Sequence, residues 1–396
     1  MKVLVLGAGG MGAKAAETVA QYDEISGLTL ADLDFECADR IAKKCGSKAR
    51  ALKLDVTDPT ALHRALSEAD AVLNCVGPFF RFGVPILTAA IETGTPYFDI
   101  CDDPEPTLEM LALNDKAKTN NVLAIVGIGA SPGISNLLAA KTCTALDEID
   151  HLITGWSLDD DPDGPMGDLD LNEEGGNAAF VHWMEQCSGN VTSWVDGKLT
   201  SVKPLQPLTV TYPGIGQRTL WTVGHPEPVT LPLTFPHVTN ASNAMVLNRL
   251  DAMGLKDLAR RIDAGRITID EAAAEISGSF SDGGGSAFQS FIAWIASRLS
   301  GPKLPSLFAL AEGRLDGRPA IAAAAITSLP KDGMAGITSV PLAVALKLYI
   351  EGKIAGTGVK APEAVIDPDL FFGTFHPYCV SPSPVSREKL VSFTVS

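Results

Sequence analysis

The chain opens on an apolar run, Val3-Leu4-Val5-Leu6, that breaks at a cluster of glycines and resumes as an alanine-rich stretch from Met11 to Gln21. A short continuous apolar run reads as a strand buried on both faces, and the alanine-rich stretch as the helix that follows it. The alternation repeats. Strand patterns fall at 28–34, 49–58, 71–78, 96–102 and 122–129, with helical patterns at 37–45, 59–69, 84–94 and 107–121. Strictly alternating βα units of this length specify a parallel sheet covered on both faces, and right-handed crossovers make it doubly wound.

The texture changes near residue 150. Segments 149–157, 190–196, 206–212, 218–224 and 229–235 read as antiparallel strands among frequent prolines, and 244–300 reads as helical, interrupted by "SDGGGS" at 281–286. Residues 307–327 read as a hairpin turning at Asp316-Gly317, and 336–353 as a buried helix. The expected fold class is α/β: a Rossmann doubly wound parallel sheet, with a second mixed α+β domain inserted before the C-terminal segment. The expected organisation is a dinucleotide-binding domain over 1–130, an α+β substrate and dimerisation domain over 131–335, and a segment over 336–396 that returns to the first domain.

The glycine break carries chemistry. Gly7-Ala8-Gly9-Gly10-Met11-Gly12 is a GxGxxG between a strand and a helix. Gly7 permits the tight turn, Gly9 lets a pyrophosphate approach the backbone, and Gly12 lets helix and strand pack closely. The free N–H groups of the helix start, here at Gly10 and Met11, favour the phosphates. Asp32 lies twenty residues past Gly12, at the end of the second strand, where a carboxylate accepts hydrogen bonds from the adenosine ribose. It repels a 2′-phosphate, and no Arg follows it directly, so NAD is expected over NADP. Asp55 and Val56 are expected near the adenine. Asn74, Cys75, Val76, Gly77 and Pro78 are expected along the nicotinamide ribose, although a plain strand-ending turn fits the same residues.

Composition narrows the partners. The 396 residues carry a net charge of −16, which argues against a nucleic-acid partner because phosphate contacts need a basic face. No charged leader precedes the first strand, and no apolar run of about 18 residues stands out, so a cytoplasmic location without a membrane span is expected. Seven scattered cysteines show no metal-ligand spacing and read as free thiols, with no metal site expected. A homodimer is expected from the apolar sheet faces of the second domain.

Three stretches resemble the saccharopine dehydrogenase family: "NCVGPFFRFGVPILTAAIETGTPYFDICDD" (74–103), "GIGASPGISNLLA" (127–139) and "GVKAPEAVIDPDLFF" (358–372). The resemblance implies a Rossmann domain with a long α+β insertion, completed by the C-terminus. It also implies NAD(P)-dependent chemistry on a C–N bond of an amino acid, an opine or a polyamine. The sequence departs from the saccharopine reductases at Ser131, where their turn has an Asp, and at "TGWSL" (154–158), where the family has "GGLP". An alternative is a polyamine enzyme that recycles NAD as a hydride carrier, and another is a non-enzymatic NAD(H) sensor.

Oxidising an amine requires a neutral nitrogen, hence a base, and later a water activated to attack the imine. Asp102 emerges at the carboxyl edge of the fifth strand and is the first candidate base or ammonium-binding group, with an N-cap role as the competing reading. His225, bracketed by Gly and Pro in "VGHPEPVTLP" (223–232), is a second candidate, placed in a loop between two strands. Glu227 follows two residues on, to orient it or to bind an ammonium. His182 in "FVHWMEQ" (180–186) reads as core-facing or capping, and Asp99 and Tyr97 as buried structural groups. Arg81 and Arg218 are the expected partners of a substrate carboxylate, with Ser131 as a further substrate contact. The acidic run 158–174 reads as a solvated loop, with a lid for cationic substrates as the alternative. The expected partner is a small amino-acid or amine substrate.

Overall fold

A computed structural model describes residues 1–157, 174–281 and 303–396. The acidic run expected as a loop or lid (158–174) and the "SDGGGS" interruption (281–286) fall almost wholly outside the described residues.

The first domain runs β1 (Lys2–Leu6), α1 (Gly10–Val19), β2 (Gly27–Asp32), α2 (Phe35–Lys44), β3 (Ala49–Lys53), α3 (Pro59–Ser67), β4 (Ala71–Asn74), α4 (Phe79–Thr93), β5 (Tyr97–Asp99), α5 (Pro104–Ala112), α6 (Asn114–Thr119) and β6 (Leu123–Ile125). Two of its helices start on side-chain caps. The Asp34 carboxylate accepts from Glu36 and Cys37 N–H at α2, and Asp58 accepts from Thr60 and Ala61 N–H ahead of Pro59 at α3. Every strand pairing in this sheet is parallel, in the order β16 (Gly358–Lys360)-β6-β5-β4-β1-β2-β3. The doubly wound fold expected from the alternation is therefore the observed one. Its seventh strand, β16 (Gly358–Lys360), comes from the far end of the chain.

The second sheet is built by β7 (Glu148–Ser157), β8 (Val191–Val195), β9 (Lys198–Val202), β10 (Pro207–Tyr212), β11 (Gly216–Val223), β12 (Ala241–Val246), β13 (Leu307–Leu315), β14 (Arg318–Ile326) and β18 (Val391–Val395). It is mixed, since β12 runs parallel to β7 while the other pairings are antiparallel. The β13–β14 hairpin turns at Asp316 and Gly317, both at positive φ. Helices α7 (Ile134–Cys143), α8 (Glu174–Cys187), α9 (Glu227–Thr234), α10 (Arg249–Asp263) and α11 (Ile269–Ser281) accompany it.

Two expectations are corrected here. Residues 229–235 are not a strand. Pro228 sits in the first turn of α9, where a missing N–H costs no helical bond, and the segment's buried positions do not alternate. Residues 241–246 form β12, so the helical region expected from 244 begins with the end of a strand. Its polar Ser242 and Asn243 disguise it, because they point into a hydrogen-bonded interior rather than to water.

After the short strand β15 (Leu329–Pro330), α12 (Gly333–Ile350) packs on α1. By length and composition this helix is apolar enough to cross a membrane, contrary to the expectation that no such run exists. Here 67% of it is buried inside the protein. Beyond β16, α13 (Pro368–Phe375) packs on α12 and α7, and β17 (Cys379–Ser381) pairs with β15. One continuous apolar core runs from Val5 and Leu30 of the parallel sheet, through Leu137 of α7 and Val340 of α12, to Ala309 and Ala324 of the second sheet. The two sheets are thus held across shared helices, and the carboxyl ends of the parallel strands face the second domain.

Candidate functional site

The glycine loop is shaped by backbone crowding. Gly7 has φ +86°, and a Cβ there would meet Cys75 O at 2.9 Å; a Cβ on Gly12 would lie 1.8 Å from Gly7 O. Gly9 and Gly10, by contrast, have nothing within 4 Å of a Cβ position. Both line a cavity of about 850 Å³ between the two domains. No side chain caps the start of α1, so the first amides of a ten-residue helix stand at this groove. This is a cradle that side chains would fill, and it fits a dinucleotide pyrophosphate. Asp32 is tied to the loop: Oδ2 accepts from Ala8 N–H at 2.6 Å and Oδ1 from Asp34 N–H at 2.9 Å.

Met11, Gly12, Cys75, Gly77 and Pro78 also line the cavity. Gly7 lies beneath it. Val76 donates its N–H to Asn74 Oδ1 at 3.0 Å, and Asn74 is fully buried, so both serve the strand end. Asp55 is exposed and accepts from the N–H and hydroxyl of Thr57; it and the half-buried Val56 stand outside the cavity at the end of β3.

Behind the cavity floor, Asn74 Nδ2 donates to Tyr97 Oη at 2.9 Å, and Tyr97 donates to Asp99 Oδ2 at 2.8 Å. Asp99 Oδ1 accepts from Cys101 and Gly127 N–H. Burial pushes the Asp99 carboxyl up to about 6 in spite of those bonds. Burial also pushes the Cys75 thiol up to about 12 and the Cys101 thiol well above its ordinary value, so neither is a thiolate nucleophile.

At the next turn, Asp103 takes the N-cap position of α5, yet its side chain caps nothing. It turns to α8 instead. His182 Nε2 lies 2.9 Å from Asp102 Oδ2 and Nδ1 lies 3.3 Å from Asp103 Oδ1. With a carboxylate at each ring nitrogen the imidazole is held protonated: burial opposes the charge, and Asp102 and Asp103 more than offset it, so the ring's pKa stands well above its usual value. Burial likewise works against the Asp102 anion, but His182 holds its carboxyl below the usual range. The Asp102 side chain is 36% exposed, to the cavity below the protein surface. Burial raises Asp103 to about 6. One ligand atom from each of Asp102, Asp103 and His182 lies within 4.8 Å of the others, and with the ring protonated both carboxyl groups face its positive charge.

His225 precedes α9 rather than joining two strands. It is buried, lines the same cavity and tilts against Trp156 with ring centroids 5.9 Å apart. Glu227 opens α9 with no exposure at all; its Oε2 lies 3.4 Å from His225 Nδ1. Its Oε1 accepts from the hydroxyls of Ser131 and Ser135 and from Asn243 Nδ2. Burial raises the Glu227 carboxyl, but His225 and the serine hydroxyls outweigh it and keep it below its ordinary value. Ser131 lines the cavity, whereas Glu227 lies behind it.

The structure therefore gathers Asp102, His225 and Ser131 at one cavity with the glycine loop, and Glu227 just beneath. It does not bring Arg81 or Arg218 there. Arg81 is exposed on the first turn of α4, over the Phe82 ring at 4.9 Å. Arg218 sits on β11, donating to Gln217 O at 2.7 Å. His182 and Asp103 were not singled out in the sequence as site residues. The available signal was the helical spacing of His182, Glu185 and Gln186, which places all three on one face of α8. Trp156, Trp183, Phe79, Phe80 and Phe180 supply apolar walls.

Residues 3–125 match the family model of the saccharopine dehydrogenase NADP binding domain. The NADP(+), L-glutamate-forming saccharopine dehydrogenase of Saccharomyces cerevisiae is 29% identical over 175 residues, 42% of this chain and 37% of that protein. Carboxyaminopropylagmatine dehydrogenase of Synechocystis is 27% identical over 161 residues, 38% of this chain and 40% of that protein. The matched segments thus span about two fifths of these relatives. Among solved structures, the apo yeast saccharopine dehydrogenase (L-Glu forming) superposes with a TM-score of 0.64 at 19% identity, covering 100% of this chain and 99% of that one. The homospermidine synthase of Legionella pneumophila, in complex with NAD, superposes with a TM-score of 0.57 at 12% identity, covering 99% and 91%. Both superpositions show a shared fold.

Proposed function

We propose, from the match of residues 3–125 to the saccharopine dehydrogenase NADP binding domain, that the chain is an NAD(P)-dependent oxidoreductase acting on the C–N bond of a cationic amine. The observation that carries this reading is the convergence of the glycine loop, the His182–Asp102–Asp103 trio and His225 on one cavity. A bound dinucleotide would supply the hydride acceptor, with its pyrophosphate at Gly9, Gly10 and Met11.

The chain's own groups handle protons and position. Asp102, ionised and facing the cavity, binds the substrate ammonium. His225 takes a proton from that nitrogen, which leaves the lone pair needed for the carbon to lose its hydride and become an imine. Once a water adds to the imine carbon, the same imidazole exchanges protons with the carbinolamine as the amine departs. The apolar walls keep bulk water from the reacting carbon.

The cavity's charge supports an amine over an amino acid or opine. Among the described residues, no Lys or Arg lines it, while Asp102, Asp103, Glu185 and Asp270 do. Its imidazolium at His182 is already matched by two carboxylates, and Arg81 and Arg218 stand elsewhere. A substrate carboxylate would enter unpaired, at a high desolvation cost. An ammonium on a methylene chain meets carboxylates and aromatic faces. For the cofactor, Asp32, Asp34 and Glu36 cluster where a 2′-phosphate would lie, which favours NAD.

The test is reduction of NAD and NADP across α,ω-diamines, monoamines, α-amino acids and opines. Reduced nicotinamide with diamines supports the reading. Turnover of opines with diamines inert would move the assignment to the amino-acid branch. Amine consumption without net reduced cofactor would point to recycled NAD.

A further inference from the structure

We infer that Glu227 is a positioning residue that fixes the proton of His225 on Nδ1 and so presents Nε2 to the cavity as the proton-accepting atom. The inference rests on the oxidoreductase reading for its catalytic consequence, but the tautomer itself is a property of the free protein.

The argument is one of donors and lone pairs. Glu227 Oε1 is saturated: the Ser131 hydroxyl, the Ser135 hydroxyl at 2.7 Å and Asn243 Nδ2 at 3.0 Å all converge on it. Asn243 has no freedom to turn its amide, because its Oδ1 accepts from Trp156 Nε1 at 2.8 Å while Nδ2 also reaches Thr154 Oγ1 at 3.0 Å. Oε2 is left facing His225 Nδ1 at 3.4 Å, an ion-pair separation without a formed hydrogen bond, and neither atom has a hydrogen-bond partner among the described residues. Were Nδ1 unprotonated, its lone pair would oppose that of a buried carboxylate oxygen. A proton on Nδ1 removes the repulsion and gives each buried atom a group of the opposite kind to face.

Two consequences follow for the ring. In its neutral form the remaining lone pair is on Nε2. When Nε2 takes a proton, the charge forms beside the Glu227 carboxylate and is stabilised by it, the role a buried acid plays behind a catalytic imidazole. The other charged groups about this ring are Asp102 and Asp103 on the loop before α5. Through Asn243 the same carboxylate also holds Trp156, which flanks His225, so one buried group sets both a reacting side chain and its wall.

The test is nitrogen NMR of the His225 ring in the full chain, in the wild type and in Glu227→Gln. The wild type is expected to show the Nδ1–H tautomer. In E227Q the amide keeps an oxygen for the three donors and turns its NH₂ toward Nδ1, so the ring is expected to switch to Nε2–H. Turnover is then expected to fall on the order of 100-fold in kcat, with dinucleotide affinity unchanged. A wild-type Nε2–H tautomer, or Nδ1–H persisting in E227Q, overturns the inference. The wild-type spectrum alone decides if the variant does not fold. Should no substrate be turned over at all, the oxidoreductase reading fails while the tautomer measurement still stands.

Discussion

His182 and Asp102 lie eighty positions apart in the chain and on different domains, yet their side chains meet at 2.9 Å over the cavity. This contact ties α8 of the second domain to the carboxyl edge of the parallel sheet. It also sets the charge of the site, an imidazolium between two carboxyl groups.

Replacing Asp102 by Asn is expected to lower kcat/KM for an amine substrate on the order of 100-fold. Its effect on stability is smaller, about 1 kcal/mol, since the pair is partly exposed. The sign with pH follows from the shifts. His182 is raised, so its contribution is full below its ordinary value and is lost as pH rises through the higher folded value. Asp102 is lowered, so its contribution is present above the ordinary carboxylate range and is lost as pH falls through the lower folded value. Denaturant melts of wild type and D102N at neutral pH and in strong acid check this, and the stability gap should close in acid.

The glycine loop makes opposite predictions for adjacent residues. Gly12→Ala drives a Cβ into Gly7 O and is expected to cost about 1–3 kcal/mol as well as dinucleotide binding. Gly9→Ala meets no protein atom, so its melting temperature should match the wild type while dinucleotide affinity falls at least about tenfold, or about 1.4 kcal/mol. Calorimetric melts and titrations on both variants separate the two effects.

Much of this arrangement was legible in the sequence. The βα alternation, the glycine spacing and Asp32 are local patterns, and local patterns report local structure. The expectations that failed involve information stored elsewhere in the chain. β12 looked polar because Asn243 and Ser242 find partners on β7 and α9. His182 looked like a core residue because its two carboxylates come from another domain. Arg81 and Arg218 had the right chemistry for a carboxylate, but neither element carrying them points it into the cavity.

Asp32→Asn is expected to weaken NAD binding and narrow the preference against NADP. It removes the negative charge while keeping an oxygen for Ala8 N–H. Parallel titrations with the two dinucleotides report the ratio. An unaltered ratio would remove Asp32 from the ribose site.

Glu363 gives a pH signature unrelated to catalysis. It is buried, accepts from Asn136 Nδ2 at 2.9 Å, and its carboxyl is pushed up to about 7, mainly by burial. A raised carboxyl holds its proton in the folded state, so its contribution is full below the ordinary Glu range and is lost as pH rises through about 7. Glu363→Gln keeps a neutral group of the same shape. Relative to wild type it should gain stability from pH 5 to pH 8, by about 2 kcal/mol at the upper end. Chemical denaturation across that range measures the gain.

The central claim is that hydride leaves an amine-bearing carbon for a nicotinamide held in this cavity. The most direct measurement uses an α,ω-diamine deuterated at the carbons next to nitrogen, incubated with the protein and NAD, with the reduced cofactor analysed by mass spectrometry. The account predicts deuterium in the nicotinamide ring of the product, abolished by Gly12→Ala and strongly reduced by Asp102→Asn. Reduced cofactor without label, or labelled cofactor formed equally well by both variants, would contradict it.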